Sequence, residues 1–153
     1  MRTLAWIARG LGSPQAVQSL QCLKRESEPD VFFLMETKLG LQGMERIRIK
    51  LGYSGKLVVE PVGQSGGLCL FWSARISVDL LSYSRFHIDV KVESHVSTMW
   101  CMTGFYGNSE SEQRGHVWTL MRRLRGMSDL PWMCIRDFDE ILSMEEKKGG
   151  VPR

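Results

Sequence analysis

The sequence has no paired cysteines, no bilayer-length apolar run and no strong excess of either charge, and each shortage removes a class of protein. Cys22, Cys69, Cys101 and Cys134 stand singly in apolar stretches with no CxxC pair, which excludes a zinc ribbon and a dithiol redox motif. They read as buried free thiols of a reducing compartment. No apolar stretch approaches the roughly 20 residues that span a bilayer. Met1-Arg2-Thr3-Leu4-Ala5-Trp6 reaches polar residues too soon for a signal-peptide core. The expectation is an intracellular protein, nuclear or cytoplasmic, with no membrane partner. A net charge of +3, from 20 basic against 17 acidic side chains, permits nucleic acid without demanding it. With 43% apolar residues in 153 the chain fits one domain with an ordinary core and no disordered tract. Nothing in the pattern speaks to oligomeric state.

What is present alternates between strand and helix. Residues 3–8 are short, apolar and aromatic, and they end at Arg9-Gly10-Leu11-Gly12, as a buried strand leaving into a loop would. Ser13 before Pro14 is a helix start, Ala16, Val17, Leu20 and Leu23 recur at helical spacing, and the helix must end before Pro29. Val31-Phe32-Phe33-Leu34-Met35 is a continuous β-prone run, so strand, helix and strand predict a crossover onto a covered sheet. A second helix is predicted over 43–51, closed by Gly52. From 56 to 106 the period changes to two, clearest where Ile88, Val90 and Val92 alternate with His87, Asp89, Lys91 and Glu93. That predicts an antiparallel meander of about five strands. A third helix is predicted over 111–127 and a last strand over 132–135, before a polar, glycine-rich end at 143–153 that reads as an interruption. The fold class is α/β or α+β, a layered sandwich.

The chemistry-bearing residues stand where apolar runs end. Glu36 follows the second strand and Asp137 the last, with Asp139 two residues on. A carboxylate at a buried strand's end suits a hard cation or an activated water. A solvated loop acid at 36, and a helix-capping Asp137 before Glu140-Ile141-Leu142, are the plainer readings. His87, His95 and His116 read as structural, and Trp6, Trp72, Trp100, Trp118 and Trp132 as core before they are stacking platforms. Arg122, Arg123 and Arg125 read as the outer face of a helix rather than as a nucleic-acid patch.

Taken in order, Leu4-Ala5-Trp6 with Arg9-Gly10, Met35-Glu36-Thr37, Gly104-Phe105-Tyr106-Gly107-Asn108 and Asp137-Phe138 with Glu140 resemble the endonuclease/exonuclease/phosphatase superfamily. Within it the likeness is to the endonuclease-like domain of plant LINE-type non-LTR retrotransposons, related to apurinic endonucleases and DNase I. The resemblance implies a four-layered DNase I-like α/β sandwich, with residues 1–153 forming a single, incomplete domain of that kind. It implies a magnesium-dependent endonuclease acting on DNA. Glu36 would hold the metal, Asp137 activate water, Tyr106 steady the phosphate, and Arg9 and Asn108 contact it.

The departures from that pattern matter as much. The family's first motif carries an asparagine where this chain has Ile7, which has no lone pair to offer. Arg136 replaces a glycine and Asp139 an asparagine, and a second acid either repels phosphate or recruits metal. The family's C-terminal Ser-Asp-His element has no counterpart, so the chain reads as a C-terminally truncated copy. The expectation is weak or absent activity, and the alternatives are a non-catalytic module binding nucleic acid or protein, or a non-functional remnant.

Overall fold

The computed structural model describes residues 1–96, 98–107, 123, 126 and 129–138, with 107 and 136–138 described as backbone. The chain divides into two compact units, Met1–Ser77 and Val78–Arg153, and each holds a four-stranded sheet.

The first unit runs β1 (Thr3–Ile7), α1 (Pro14–Ser27), β2 (Val31–Met35), α2 (Leu41–Leu51), β3 (Gly55–Val59) and β4 (Leu68–Trp72), with sheet order β1-β2-β4-β3. β1 and β2 are parallel, from Thr3 beside Val31 to Ile7 beside Met35, so α1 is the crossover the sequence predicts. β4 is antiparallel to both β2 and β3. Every residue of β2 is buried, because the strand has a neighbour on each edge and cover on each face. Phe32 and Leu34 share one face with Cys69 and Phe71 of β4, and there they meet Leu20 of α1 and Met44, Ile47 and Leu51 of α2.

Local chemistry sets the helix ends. Ser13 Oγ accepts from the Ala16 amide at 3.1 Å with Pro14 at the first helical position, and Glu28 closes α1 in the left-handed region. α2 starts at Leu41, two residues before the predicted 43, since Glu60 Oε2 accepts from the Leu41 amide at 3.2 Å. Residue 40 is glycine and has no side chain to cap with. Tyr53 stacks on Phe71 at 5.5 Å and donates its hydroxyl to the Pro29 carbonyl at 2.9 Å. Gly55 faces Trp72 across the β3–β4 ladder, where a Cβ would run into the indole. Glu45 receives a two-pronged hydrogen bond from Arg48 and an ion pair from Lys56 at 2.9 Å, which holds its carboxyl down at about 2.

The second sheet is β5 (Ile76–Ser84), β6 (His87–Ser94), β7 (Met99–Gly107) and β8 (Trp132–Phe138), in that order. β6 and β7 are antiparallel, and β7 and β8 are parallel from Cys101 beside Trp132 to Gly107 beside Phe138. The predicted five strands between 56 and 106 exist, but they do not form one meander. β3 and β4 belong to the first sheet, because Leu68-Cys69-Leu70-Phe71-Trp72 is apolar throughout and pairs with β2 as a buried strand. The period-two signal belongs to β6. β8 continues past the predicted 135 because its ladder with β7 does, so Asp137 lies inside a strand rather than in the turn after it. The predicted third helix lies outside the described residues except for Arg123 and Gly126, and the terminal stretch 143–153 lies outside them entirely.

Two expectations about side chains change. Cys22 is exposed on α1, whereas Cys69 and Cys101 are buried and Cys134 is half-buried. The four described tryptophans, Trp6, Trp72, Trp100 and Trp132, are half-buried rather than fully interior. Among the described residues no helix is long and apolar enough to cross a membrane.

Candidate functional site

In the first unit the parallel pairing of β1 with β2 brings the Arg9 and Glu36 segments side by side, although they are far apart in sequence. The ladder continues past both strands: the Ala8 amide donates to the Met35 carbonyl at 2.8 Å, Gly10 to Glu36 at 2.8 Å and Leu11 to Thr37 at 2.9 Å. From the other side Thr37 and Lys38 donate to Gly67 at 3.1 Å and Gly66 at 2.9 Å. This double clamp forces three side-chain-bearing residues into the left-handed region: Arg9 at φ 54°, Glu36 at φ 56° and Lys38 at φ 58°. Such backbone costs on the order of 1 to 2 kcal/mol per residue, and it concentrates where a side chain has to be aimed.

Glu36 is half-buried, and Lys38 Nζ lies 3.7 Å from its Oε1. Arg9 is exposed. Thr37 is fully buried between them, with no hydrogen-bond partner for its Oγ1 among the described residues. Gly67, at φ 94°, sits against that hydroxyl, and a Cβ there would clash with it. The sequence places Thr37 in the motif with Glu36 but gives no role to Lys38 or to the backbone of Gly66–Gly67. A Thr-Lys pair after an acid, with two glycines ahead of β4, was the available signal.

The second unit brings together two of the predicted residues. Tyr106 of β7 and Asp137 of β8 are direct register neighbours in the parallel ladder. Tyr106 is half-buried, and its amide donates to the Phe86 carbonyl at 2.9 Å. Asn108 and Asp139 lie outside the described residues. Arg9 and Glu36 thus fall in one unit, and Tyr106 and Asp137 in the other.

The same sheet carries a polar network the sequence did not reveal. His87 is buried, with Ser84 Oγ 2.6 Å from Nδ1, Ser82 Oγ 2.9 Å from Nε2, and Phe105 stacked on the ring. Burial holds this imidazole down at about 4. Asp89 is buried as well and accepts from Thr103 Oγ1 at 2.7 Å, while the Trp132 indole donates to that same oxygen at 2.7 Å. Burial raises the Asp89 carboxyl. Both groups are structural, since each is enclosed by its partners. His95 is exposed, and His116 lies outside the described residues.

The metal that the resemblance implies calls for oxygen donors. Among the described residues no three of His, Cys, Asp and Glu cluster, which excludes an all-protein cage there. Glu36 is a half-buried carboxylate with Lys38 beside it. That fits magnesium, which keeps several waters and takes one or two carboxylates beside phosphate oxygens.

No protein-family model matches the chain, and no curated protein matches it. Solved structures do. The mannosyl-6-phosphatase Bt3783 of Bacteroides thetaiotaomicron superposes with a TM-score of 0.67 at 9% identity, over 90% of this chain and 64% of that one. D. rerio TDP2 complexed with a single-strand DNA product gives 0.64 at 12% identity, over 98% and 65%. The AP endonuclease LMAP of Leishmania major gives 0.58 at 14% identity, over 87% and 54%. At such identities the likeness is one of fold: the chain is α+β, with mixed sheets and helices, and its fold is DNase I-like. It spans between 54% and 65% of the length of these structures.

Proposed function

We propose that this chain is a phosphodiesterase-type domain of retroelement origin that binds nucleic-acid phosphate and retains at most weak magnesium-dependent cleavage. The observation that carries the reading is the left-handed backbone at Glu36, at the end of a fully buried strand, clamped on one side by the Arg9 segment and on the other by Gly66–Gly67. Packing alone gives no reason to strain three side-chain-bearing residues at one strand end. The fold it shares with a phosphatase, an AP endonuclease and a protein holding a DNA product supports phosphate esters as the substrate class.

In this reading Glu36 would hold the metal, Asp137 would accept the proton of the attacking water, and Tyr106 would donate to the charge that develops on phosphate. Bound magnesium supplies charge neutralisation on the scissile phosphate. Arg9 and Asn108 would contact the phosphate backbone, and Asp139 would add a second acid to the motif. Lys38, paired with Glu36, limits the negative charge an incoming phosphate meets. Turnover is low because Ile7, the last residue of β1, occupies the place of an oxygen donor, and because Arg136 brings a long side chain where the family pattern has glycine.

Nicking of supercoiled plasmid in magnesium tests this. The chain is expected to nick no faster than Glu36→Ala, while Ile7→Asn gains on the order of tenfold or more, as returning one transition-state contact does. Robust nicking by the natural sequence, lost in Glu36→Ala, would overturn the low-turnover reading. DNA association that shows no salt dependence, or none at low salt, would remove nucleic acid as the partner.

A further inference from the structure

β5 is the outer strand of the second sheet, with β6 on one side and none of the described residues paired on the other. Natural proteins blunt such edges with lysine, proline, bulges or brevity, because a long flat edge recruits another strand. β5 is nine residues long, reads Ile-Ser-Val-Asp-Leu-Leu-Ser-Tyr-Ser, and carries one charge and no proline. Leu80, Leu81 and Tyr83 are 44%, 51% and 62% exposed.

The two faces of the strand differ. Ser82 and Ser84 turn to His87, while Asp79, Leu81 and Tyr83 project on the other side and are exposed, on the sheet face where Ile88, Val90 and Val92 of β6 are buried; Arg85 is exposed in the turn that follows β5. The Arg85 guanidinium is held 5.4 Å over the Phe86 ring at the strand's end. Neither Asp79 nor Arg85 forms an ion pair among the described residues. The backbone has the matching polarity. The Phe86 carbonyl accepts from Tyr106 and so faces β7, which turns His87 toward β5. Across the two-residue connection at 85–86, Ser84 is then the neighbour of His87, and the amides of Asp79, Leu81 and Tyr83 face the open edge.

We propose that β5 is a homotypic edge: two copies of this chain pair antiparallel through it, about a two-fold axis at Ser82. With Ser82 facing Ser82, Leu81 faces the second copy's Tyr83, Asp79 lies alongside the turn that carries the second copy's Arg85, whose long side chain can reach it, and the two-fold repeats each pair. The exposed aliphatic and aromatic residues cover one another, and the opposite charges meet at both ends, which are the pairings that favour one antiparallel register over others. Leu81 and Tyr83, which face each other, are residues whose amides point outward, so the pairing closes hydrogen bonds as well. Neighbouring registers lose this match. With Leu81 facing itself, Asp79 meets Tyr83 and Arg85 meets Ser77. With Tyr83 facing itself, Arg85 meets Leu81.

Sedimentation velocity over a concentration series tests the register as well as the dimer. The natural chain is expected to dimerise, Asp79→Arg and Arg85→Asp to be monomeric alone, and their equimolar mixture to recover the dimer, because only the mixed pair restores both ion pairs. Recovery on mixing also shows that each variant is folded. Facing Ser82 residues have Cα atoms about 4.5 Å apart in a non-hydrogen-bonded pair, within reach of a disulfide. Ser82→Cys is therefore expected to cross-link under mild oxidation well above the background set by the exposed Cys22. A natural chain that stays monomeric at its highest soluble concentration, a single variant that keeps the dimer, a mixture that stays monomeric, or Ser82→Cys cross-linking no more than the natural chain would each overturn the proposal.

Discussion

His87 has a serine hydroxyl at each ring nitrogen and Phe105 against its face, so protonation inside the fold gains nothing to offset the lost hydration. Its folded pKa is held down at about 4, against about 6.5 when the chain is unfolded. Below 6.5 the unfolded chain therefore binds the extra proton first. Stability is full above that pH, falls as pH drops toward 4, and levels off beyond it, a loss of roughly 3 kcal/mol at most. Urea midpoints at pH 7 and pH 4.5 check this, and His87→Asn should flatten the slope between them. At this scale the sequence was half legible. Glu36, Tyr106 and Asp137 stood in motif order, and the β7–β8 ladder sets the last two side by side. The left-handed backbone at Arg9, Glu36 and Lys38 left no mark, because strain in side-chain-bearing residues is imposed by contacts from Gly66–Gly67 and not by their own preferences. His87 hid for a similar reason: its partners lie on a different strand.

Among the elements, α1 was readable because Ser13, Pro14 and Pro29 each act within one turn of themselves. α2 was readable at its end and not at its start. Gly52 closes it, but the cap on its first amide comes from Glu60, beyond β3. Glu60→Ala should cost about 0.5 to 1 kcal/mol, the usual value of a carboxylate on an exposed helix N-terminus, and most of that should vanish in high salt. Thermal unfolding at low and high ionic strength measures it. The meander was over-read because alternation in β6 was extended to neighbours that lack it. β4 is continuous in apolar character, and such a run tells that a strand is covered on both faces without telling which sheet covers it.

For the molecule as a whole, four short motifs kept in order predicted an architecture that solved structures share at 9% to 14% identity, because the order of strands and crossovers constrains topology more tightly than any single side chain does. What motif order could not give is the division into two compact units or the open edge of β5, both of which depend on pairings distant in sequence. The strand-end clamp has a thermal consequence. Arg9, Glu36 and Lys38 keep unfavourable backbone angles only while the amides of Gly10, Leu11, Thr37 and Lys38 stay tied. Warming should release those ties before the buried sheet gives way, since local opening of a strained surface segment requires less free energy than global unfolding. On the proposed nucleic-acid reading, retention of DNA on a filter should accordingly fade several degrees below the midpoint seen by circular dichroism, and the two curves should coincide if the segment is no softer than the sheet beneath it.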